Sequence, residues 1–179
     1  MSKLITTEIK AALLNKDEDA IKYLKQIKKG IYLHIYKPSQ NIYEKRTKRE
    51  HIINANLTVI KPGKFTKGLL SRCKGYHQSW KYKSNDELCF LKEVNTYLLV
   101  DLSNYTNEYV ARIEGGLMGL ISYILNEDLN RYEKGSKSEY RIVNNNQIST
   151  ETIDKLSCLI KKQLDNDFEL EEMKNIYIK

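Results

Sequence analysis

The sequence of 179 residues predicts an α+β fold, in which a small central antiparallel or mixed β-sheet is flanked by helices. Two observations predict this class. Segments with apolar residues at every third or fourth position, typical of amphipathic helices, alternate with short apolar or alternating segments typical of strands. Their order is helix, hairpin, helix, strand, helix, with helical segments at both ends. A chain of this length is typical of one domain, so we expect a single domain over 1–179.

The first helical segment covers residues 4–28, where apolar residues mark one face. The pattern leaves open whether the polar cluster Asn15–Asp19 divides it into two helices. Gly30 ends the helical pattern, and Ile31–Tyr36 alternates between apolar and polar residues as a strand does.

A second strand is predicted at Leu57–Ile60, and we expect Pro62 and Gly63, which follow shortly after it, to stop it. The connection between the two strands, residues 37–56, is long and polar. The strands therefore predict a hairpin with an extended, basic tip.

The remaining elements follow from the same two periodicities. Helices are predicted at Phe65–Trp80, Thr106–Leu125 and Thr150–Leu164, and strands at Glu93–Asp101 and Tyr140–Val143. The longest apolar stretches are too short to cross a membrane, and the charged N-terminus lacks the apolar segment of an export signal.

Charge is distributed unevenly along the chain, whose net charge is +7. Residues 28–83 contain fourteen Lys or Arg and two acidic residues, so this region carries +12 and the rest of the chain −5. A concentrated basic region is typical of a surface that binds a polyanion, although charge alone does not distinguish DNA, RNA and an anionic membrane. The three cysteines are odd in number and lack a CxxC pair, which indicates reduced thiols in a cytoplasmic protein.

Glu114 is the most informative acidic residue. It lies one helical turn from Val110 and from Leu117, which places it within the apolar face of its predicted helix. A carboxylate in that position needs a metal ion or a cationic side chain to offset its burial. Gly115 and Gly116 lower helix stability, which suggests that something packs closely against this turn.

Arg72 and Tyr76 lie one helical turn apart, so their side chains can serve one site. A guanidinium group binds phosphate through a planar pair of donors, and a tyrosine hydroxyl can relay or orient a proton. Taken singly, Arg72 also fits a surface cation and Tyr76 a core aromatic residue.

Together these features resemble the GIY-YIG nuclease superfamily over roughly residues 28–128. Gly30-Ile31-Tyr32 matches the first tripeptide, and Lys61-Pro62-Gly63 stands where the second is expected. Arg72 and Tyr76 match the Arg-x3-(His/Tyr) spacing. Ile113–Leu117 is similar to the segment that carries the metal-binding glutamate, and Asn126 stands where the superfamily often has a supporting asparagine.

Two departures from the superfamily pattern are similar to features of GIY-YIG restriction endonucleases. Lys61 replaces the second tyrosine, and the connection from Tyr32 to Lys61 is longer than in compact members. On this resemblance the catalytic core covers 30–128, with an N-terminal helical extension over 1–29 and a C-terminal extension over 129–179.

The resemblance also implies a role for each residue. Glu114 would bind Mg²⁺ or Mn²⁺, Tyr32 would act as general base with help from Lys61, and Arg72 would neutralise the phosphate. Tyr76 would orient the water or Tyr32, and Asn126 would support the site. The residues expected to contact DNA are Lys45, Arg46, Lys48, Arg49, Lys64 and Lys67.

The resemblance implies that the protein hydrolyses DNA phosphodiester bonds with the help of a metal ion. Among such nucleases it is most similar to type II restriction endonucleases, which implies that it acts on double-stranded DNA as a homodimer. The alternatives are a mobile-element, phage or repair endonuclease of the same superfamily, or a DNA-binding protein without catalytic activity.

Overall fold

The fold was analysed in a computed structural model, which describes residues 2–36, 57–83, 94–125, 131–132, 140–144 and 148–165. These ranges contain five helices and six strands: β1 (Lys3–Leu4), α1 (Thr6–Leu14), α2 (Glu18–Gln26), β2 (Gly30–Tyr36), β3 (Leu57–Phe65), α3 (Leu69–Lys83), β4 (Val94–Asp101), α4 (Asn107–Leu125), β5 (Arg131–Tyr132), β6 (Tyr140–Asn144) and α5 (Thr150–Asp165). The strands form one sheet in the order β1-β4-β2-β3-β6-β5, and all its pairings are antiparallel. The predicted α+β class is confirmed.

Helices cover both faces of the sheet. Helices α1, α2 and α3 pack on one face, where Ile9, Leu24 and Leu70 belong to a single buried cluster. Helices α4 and α5 pack on the opposite face through a second cluster that includes Leu117 and Leu156. The terminal helices that the sequence assigned to extensions therefore form part of the two hydrophobic cores.

The alternation of strand β2 connects the two cores. Ile31 and Leu33 belong to the cluster under α4 and α5, whereas Tyr32 belongs to the cluster under α1, α2 and α3. Successive side chains of a strand point to opposite faces, so His34 lies on the same face as Tyr32.

The polar break in the N-terminal helical segment is real. Helix α1 ends at Leu14, Lys16 has a positive φ of 54°, and Asp17 caps α2 by accepting a hydrogen bond from the backbone N–H of Ala20 at 2.8 Å. The sequence did not predict strand β1 ahead of α1, nor strand β5.

The prediction that Pro62 and Gly63 stop the second strand is wrong, because β3 continues to Phe65. Strand β6 pairs with β3 only over Leu57–Ile60, so the rest of β3 has β2 on one side and no described strand on the other. The backbone N–H of Lys64 points to this unpaired edge, where it donates to Glu114. Alternate residues of a strand direct their N–H groups to the same side, so the nitrogen of Pro62 faces that edge and interrupts no ladder hydrogen bond.

The following helix begins later than the sequence predicts, at Leu69 instead of Phe65. Gly68 has a φ of +92° and immediately precedes the helix. Its backbone N–H donates to the carbonyl oxygen of Lys28 at 2.8 Å, which fixes the start of α3 beside the end of the N-terminal segment.

Candidate functional site

Tyr32 lies at the centre of the candidate site and is fully buried. The pairing of its strand with β4 shifts at this point: Ile31 pairs with Val100 while Tyr32 pairs with Leu98, so β4 contributes one extra residue and has the β-bulge. On the other side Tyr32 pairs with Gly63 of β3. A Cβ atom at Gly63 would lie 2.6 Å from Cζ of Tyr32 and closer still to its hydroxyl oxygen. The glycine therefore makes the space into which the tyrosine extends.

Three polar side chains meet above Gly63. The hydroxyl oxygens of Tyr32 and Tyr76 are 2.9 Å apart. Arg72 donates to the Tyr32 hydroxyl from Nη2 at 3.0 Å and Nε at 3.3 Å, and to the Tyr76 hydroxyl from Nη2 at 3.2 Å. The predicted proximity of Arg72 and Tyr76 is therefore present, and Tyr32 joins them from the sheet.

The pKa of Tyr32 is raised above its ordinary value, because burial penalises the phenolate. The positive charge of Arg72 and the hydrogen bonds from Tyr76 and Arg72 oppose this effect without outweighing it. The sequence led us to expect that Lys61 would favour ionisation of Tyr32. Arg72 is a cation that lowers the cost of the phenolate. Lys61 Nζ lies 4.8 Å from the ring centroid of Tyr76, and its predicted help to Tyr32 stays a prediction.

His34 belongs to this site and was not singled out from the sequence. Its ring centroid is 4.5 Å from that of Tyr32 and 4.7 Å from that of Tyr76, so it packs against both tyrosines. Its Nδ1 is 2.9 Å from Oγ1 of Thr96, and its pKa is lowered well below the usual value by burial and by the charges of Lys61 and Arg72. The signal that could have found His34 is its position two residues after Tyr32, on the same face of a strand.

Lys61 is buried in spite of its charge. It pairs with His34 across β2 and β3, and its ammonium lies over the ring of Tyr76. The face of an aromatic ring attracts a cation, so Tyr76 offsets part of the cost of burying Lys61.

Glu114 is less buried than its helical position predicts, with 36% of its side chain exposed. Its carboxylate reaches the unpaired edge of β3, where Lys64 binds it twice. The backbone N–H of Lys64 donates to Oε1 at 3.1 Å, and Lys64 Nζ lies 2.6 Å from Oε2. The charge compensation that the sequence demanded is therefore present as a lysine. The prediction of close packing at the following glycines is wrong for Gly115, since a Cβ there would meet nothing within 4 Å in the part of the chain that the structure describes.

The charge of Glu114 acts on the tyrosine and arginine of the site. It raises the pKa of both Tyr32 and Arg72, although it is the smallest of the contributions at each. The charge of Glu114 therefore acts on Tyr32 and Arg72, even though Glu114 and Arg72 come from helices on opposite faces of the sheet. The two faces meet at the edge of β3 beyond Ile60, with which no strand in the described ranges pairs.

Glu114 is a carboxylate at this edge that could take part in binding a metal ion. Within the described ranges, no group of three or more His, Cys, Asp or Glu could form an all-protein cage. Mg²⁺ usually keeps several waters and is held by one or two carboxylates together with phosphates of the substrate. Glu114 supplies one such carboxylate at an accessible position, once Lys64 Nζ moves away from Oε2.

Several predicted site residues fall outside the described ranges, and their predicted roles stay predictions. They are Asn126 and the four cations of the connection between β2 and β3, Lys45, Arg46, Lys48 and Arg49. Of the two remaining DNA-binding candidates, Lys64 contacts Glu114 and Lys67 is exposed just before α3.

Comparisons with family models, curated proteins and solved structures found no match to this chain. Among the helices that the structure describes, none has the length and apolar character needed to cross a bilayer.

Proposed function

We propose that this protein is a metal-dependent DNA endonuclease of the GIY-YIG type, most closely a type II restriction endonuclease. The observation that supports the proposal best is the convergence of Tyr32, Tyr76 and Arg72 within 3.3 Å, together with the effect of the Glu114 charge on the pKa of Tyr32. These residues come from three separate elements of the chain. Tyr32 is fully buried and Arg72 is exposed, so the cluster connects the core to the surface, where a phosphate could reach Arg72.

The proposed chemistry is hydrolysis of a phosphodiester bond. Arg72 would bind a phosphate oxygen and neutralise charge as it develops, because its guanidinium is already held by two hydroxyls. Glu114 would hold a divalent cation, which supplies charge stabilisation at the phosphate when bound.

The two tyrosines would handle the proton. Tyr32 is fully buried and Tyr76 is partly exposed, so we assign the outward hydroxyl to Tyr76. Both hydroxyl oxygens accept hydrogen bonds from Arg72. As a base, ionised Tyr32 would accept the proton of Tyr76, while the Tyr76 oxygen accepts a proton from the attacking water. Arg72, which donates to both hydroxyl oxygens, would stabilise the phenolate of Tyr32.

The basic region of the chain supports DNA as the substrate. Lys67 is exposed beside the start of α3, close in sequence to Arg72, and the most basic segment of the chain joins the two strands that hold Tyr32 and Lys61. Contacts between such cations and DNA phosphates would strengthen binding to any DNA sequence and would weaken as the salt concentration rises. A homodimer on palindromic double-stranded DNA and a cytoplasmic location complete the proposal.

The test is digestion of a sequenced plasmid by purified protein with Mg²⁺ or with EDTA. We expect discrete fragments with Mg²⁺ and none with EDTA. Arg72→Ala is expected to slow cleavage by about 10²–10³-fold, the usual effect of removing one donor that stabilises a developing charge. Lys74→Ala removes an exposed cation two residues further along the same helix and serves as the matched control.

Other outcomes separate the alternatives. Nonspecific or structure-dependent nicking would indicate a mobile-element, phage or repair endonuclease. Metal-independent DNA binding with no cleavage under either condition would refute the proposal and indicate a DNA-binding protein without catalytic activity.

A further inference from the structure

Lys64 holds both carboxylate oxygens of Glu114. The backbone N–H binds Oε1 at 3.1 Å and the side-chain ammonium binds Oε2 at 2.6 Å. These two contacts differ in kind. The first is fixed by strand β3, whereas the second depends on a flexible side chain that is 35% exposed.

The backbone contact would orient the carboxylate without blocking it. A carboxylate oxygen has more than one lone pair, so Oε1 can accept from the Lys64 N–H and still face a ligand. The ammonium contact has the opposite effect, since Nζ at 2.6 Å covers Oε2 and brings a positive charge to the place where a metal ion would bind. Two cations at that distance from one carboxylate would repel each other.

We infer that Lys64 is a placeholder cation that competes with the divalent metal ion for Glu114, an inference that rests on the proposed function. Without DNA the ammonium neutralises Glu114 and keeps its carboxylate aimed at the free edge of β3. A DNA phosphate at the Arg72 cluster offers the ammonium a second partner. When Lys64 turns to that phosphate, Glu114 is released to the metal ion while its backbone contact persists.

Such an exchange couples metal binding to DNA binding. Each ligand removes part of the cost of binding the other, and the coupling acts in both directions with the same factor. Lys64 is therefore a positioning residue that acts through Glu114 and has no assigned contact with the reacting atoms. Ion pairs between exposed or half-exposed side chains contribute little free energy, so we expect that removing the Lys64 ammonium changes the metal affinity by about twofold to fivefold.

The experiment measures binding of Mn²⁺ to the full-length protein from the concentration of free Mn²⁺, first without DNA. Lys64→Gln is expected to bind Mn²⁺ about twofold to fivefold more tightly than the wild type. Lys64→Arg keeps the charge and is expected to stay near the wild-type affinity. Lys74→Gln removes the same charge from an exposed position on α3 and is the control for a general electrostatic effect. Glu114→Gln identifies the portion of Mn²⁺ binding that belongs to this site.

Double-stranded DNA is then added, and free Mn²⁺ is read before cleavage products appear. The wild type is expected to gain more Mn²⁺ affinity from DNA than Lys64→Gln gains, because in that variant no ammonium has to leave.

The outcomes separate the inference from the proposed function. Mn²⁺ binding that depends on Glu114 but is unchanged or weakened in Lys64→Gln would overturn the placeholder role and leave the nuclease proposal standing. An equal increase in Lys64→Gln and Lys74→Gln would also overturn it, as a general charge effect. Mn²⁺ binding that is indifferent to Glu114→Gln, with and without DNA, would overturn both.

Discussion

Replacing Gly63 by alanine tests the packing on which the candidate site depends. The added Cβ would lie 2.6 Å from Cζ and 3.1 Å from Cε1 of Tyr32, and ordinary contact begins at 3.4 Å. The ring would have to retreat by about 0.8 Å from a fully buried position. Adding a methyl group to such a place costs about 1–3 kcal/mol, which exceeds the ~0.5–1 kcal/mol gained by removing a strand glycine.

Gly115→Ala is the matched control, because it adds the same methyl group where no described atom lies within 4 Å of the new Cβ. Alanine is the better helix former, so this variant is expected to raise the free energy of unfolding by about 0.8–1 kcal/mol. Urea unfolding at equilibrium measures both changes, and equal m-values would show that the two variants unfold from comparable states.

The two variants are expected to change the free energy of unfolding in opposite directions. Equal or stabilising effects of both would refute the view that Gly63 is needed for the position of Tyr32. On the proposed function, Gly63→Ala would also slow cleavage, since the displaced hydroxyl would leave Tyr76 and Arg72.

Three further predictions concern buried polar groups. Burial raises the pKa of Tyr32, so its contribution to stability is complete below pH ~10, the pKa of an unfolded tyrosine, and is lost as pH rises through the folded value. Unfolding of Tyr32→Phe should therefore depend less on pH above 10 than unfolding of the wild type, and an identical alkaline profile would contradict the burial of the phenol. Burial and nearby cations lower the pKa of His34, so its contribution is present above pH ~6.5 and is lost as pH falls below that value. His34→Gln should flatten the acid side of the stability profile, and an unchanged slope would count against a buried neutral imidazole. Ser157 is buried and donates to the carbonyl oxygen of Leu99 at 2.6 Å, so Ser157→Ala should lower the unfolding free energy by ~1–3 kcal/mol. Cys158 is the exposed neighbour of Ser157, so Cys158→Ala is the control. An equal loss of unfolding free energy in both variants would contradict a stabilising role for the Ser157 hydrogen bond.

Local geometry made part of the site predictable. Residues one helical turn apart share a face, so the proximity of Arg72 and Tyr76 followed from their spacing, and their hydroxyl–guanidinium contact is 3.2 Å. The alternation of β2 likewise determined that Tyr32 and His34 lie on one face.

Other features depended on which elements become neighbours. Whether Pro62 ends a strand depends on whether its nitrogen faces a partner, and β6 stops pairing with β3 at Ile60. The sequence predicted that the Glu114 carboxylate needs a positive charge beside it, but it did not predict that Lys64, among many cations, supplies that charge. It follows from the place where the N-terminal part of α4 crosses the unpaired edge of β3.

The sequence by itself determined the α+β class, most of the helices and strands, and the shared face of Arg72 and Tyr76, because periodicity and helical spacing act over a few neighbouring residues. Only the tertiary structure brought Tyr32 to that pair and decided how charge is arranged around it. It placed Arg72 on the Tyr32 hydroxyl and the ammonium of Lys61 over the ring of Tyr76, left Glu114 partly exposed, and bound it to Lys64. The physical reason is that burial and charge–charge contact depend on residues forty or fifty positions apart, which local pattern does not relate.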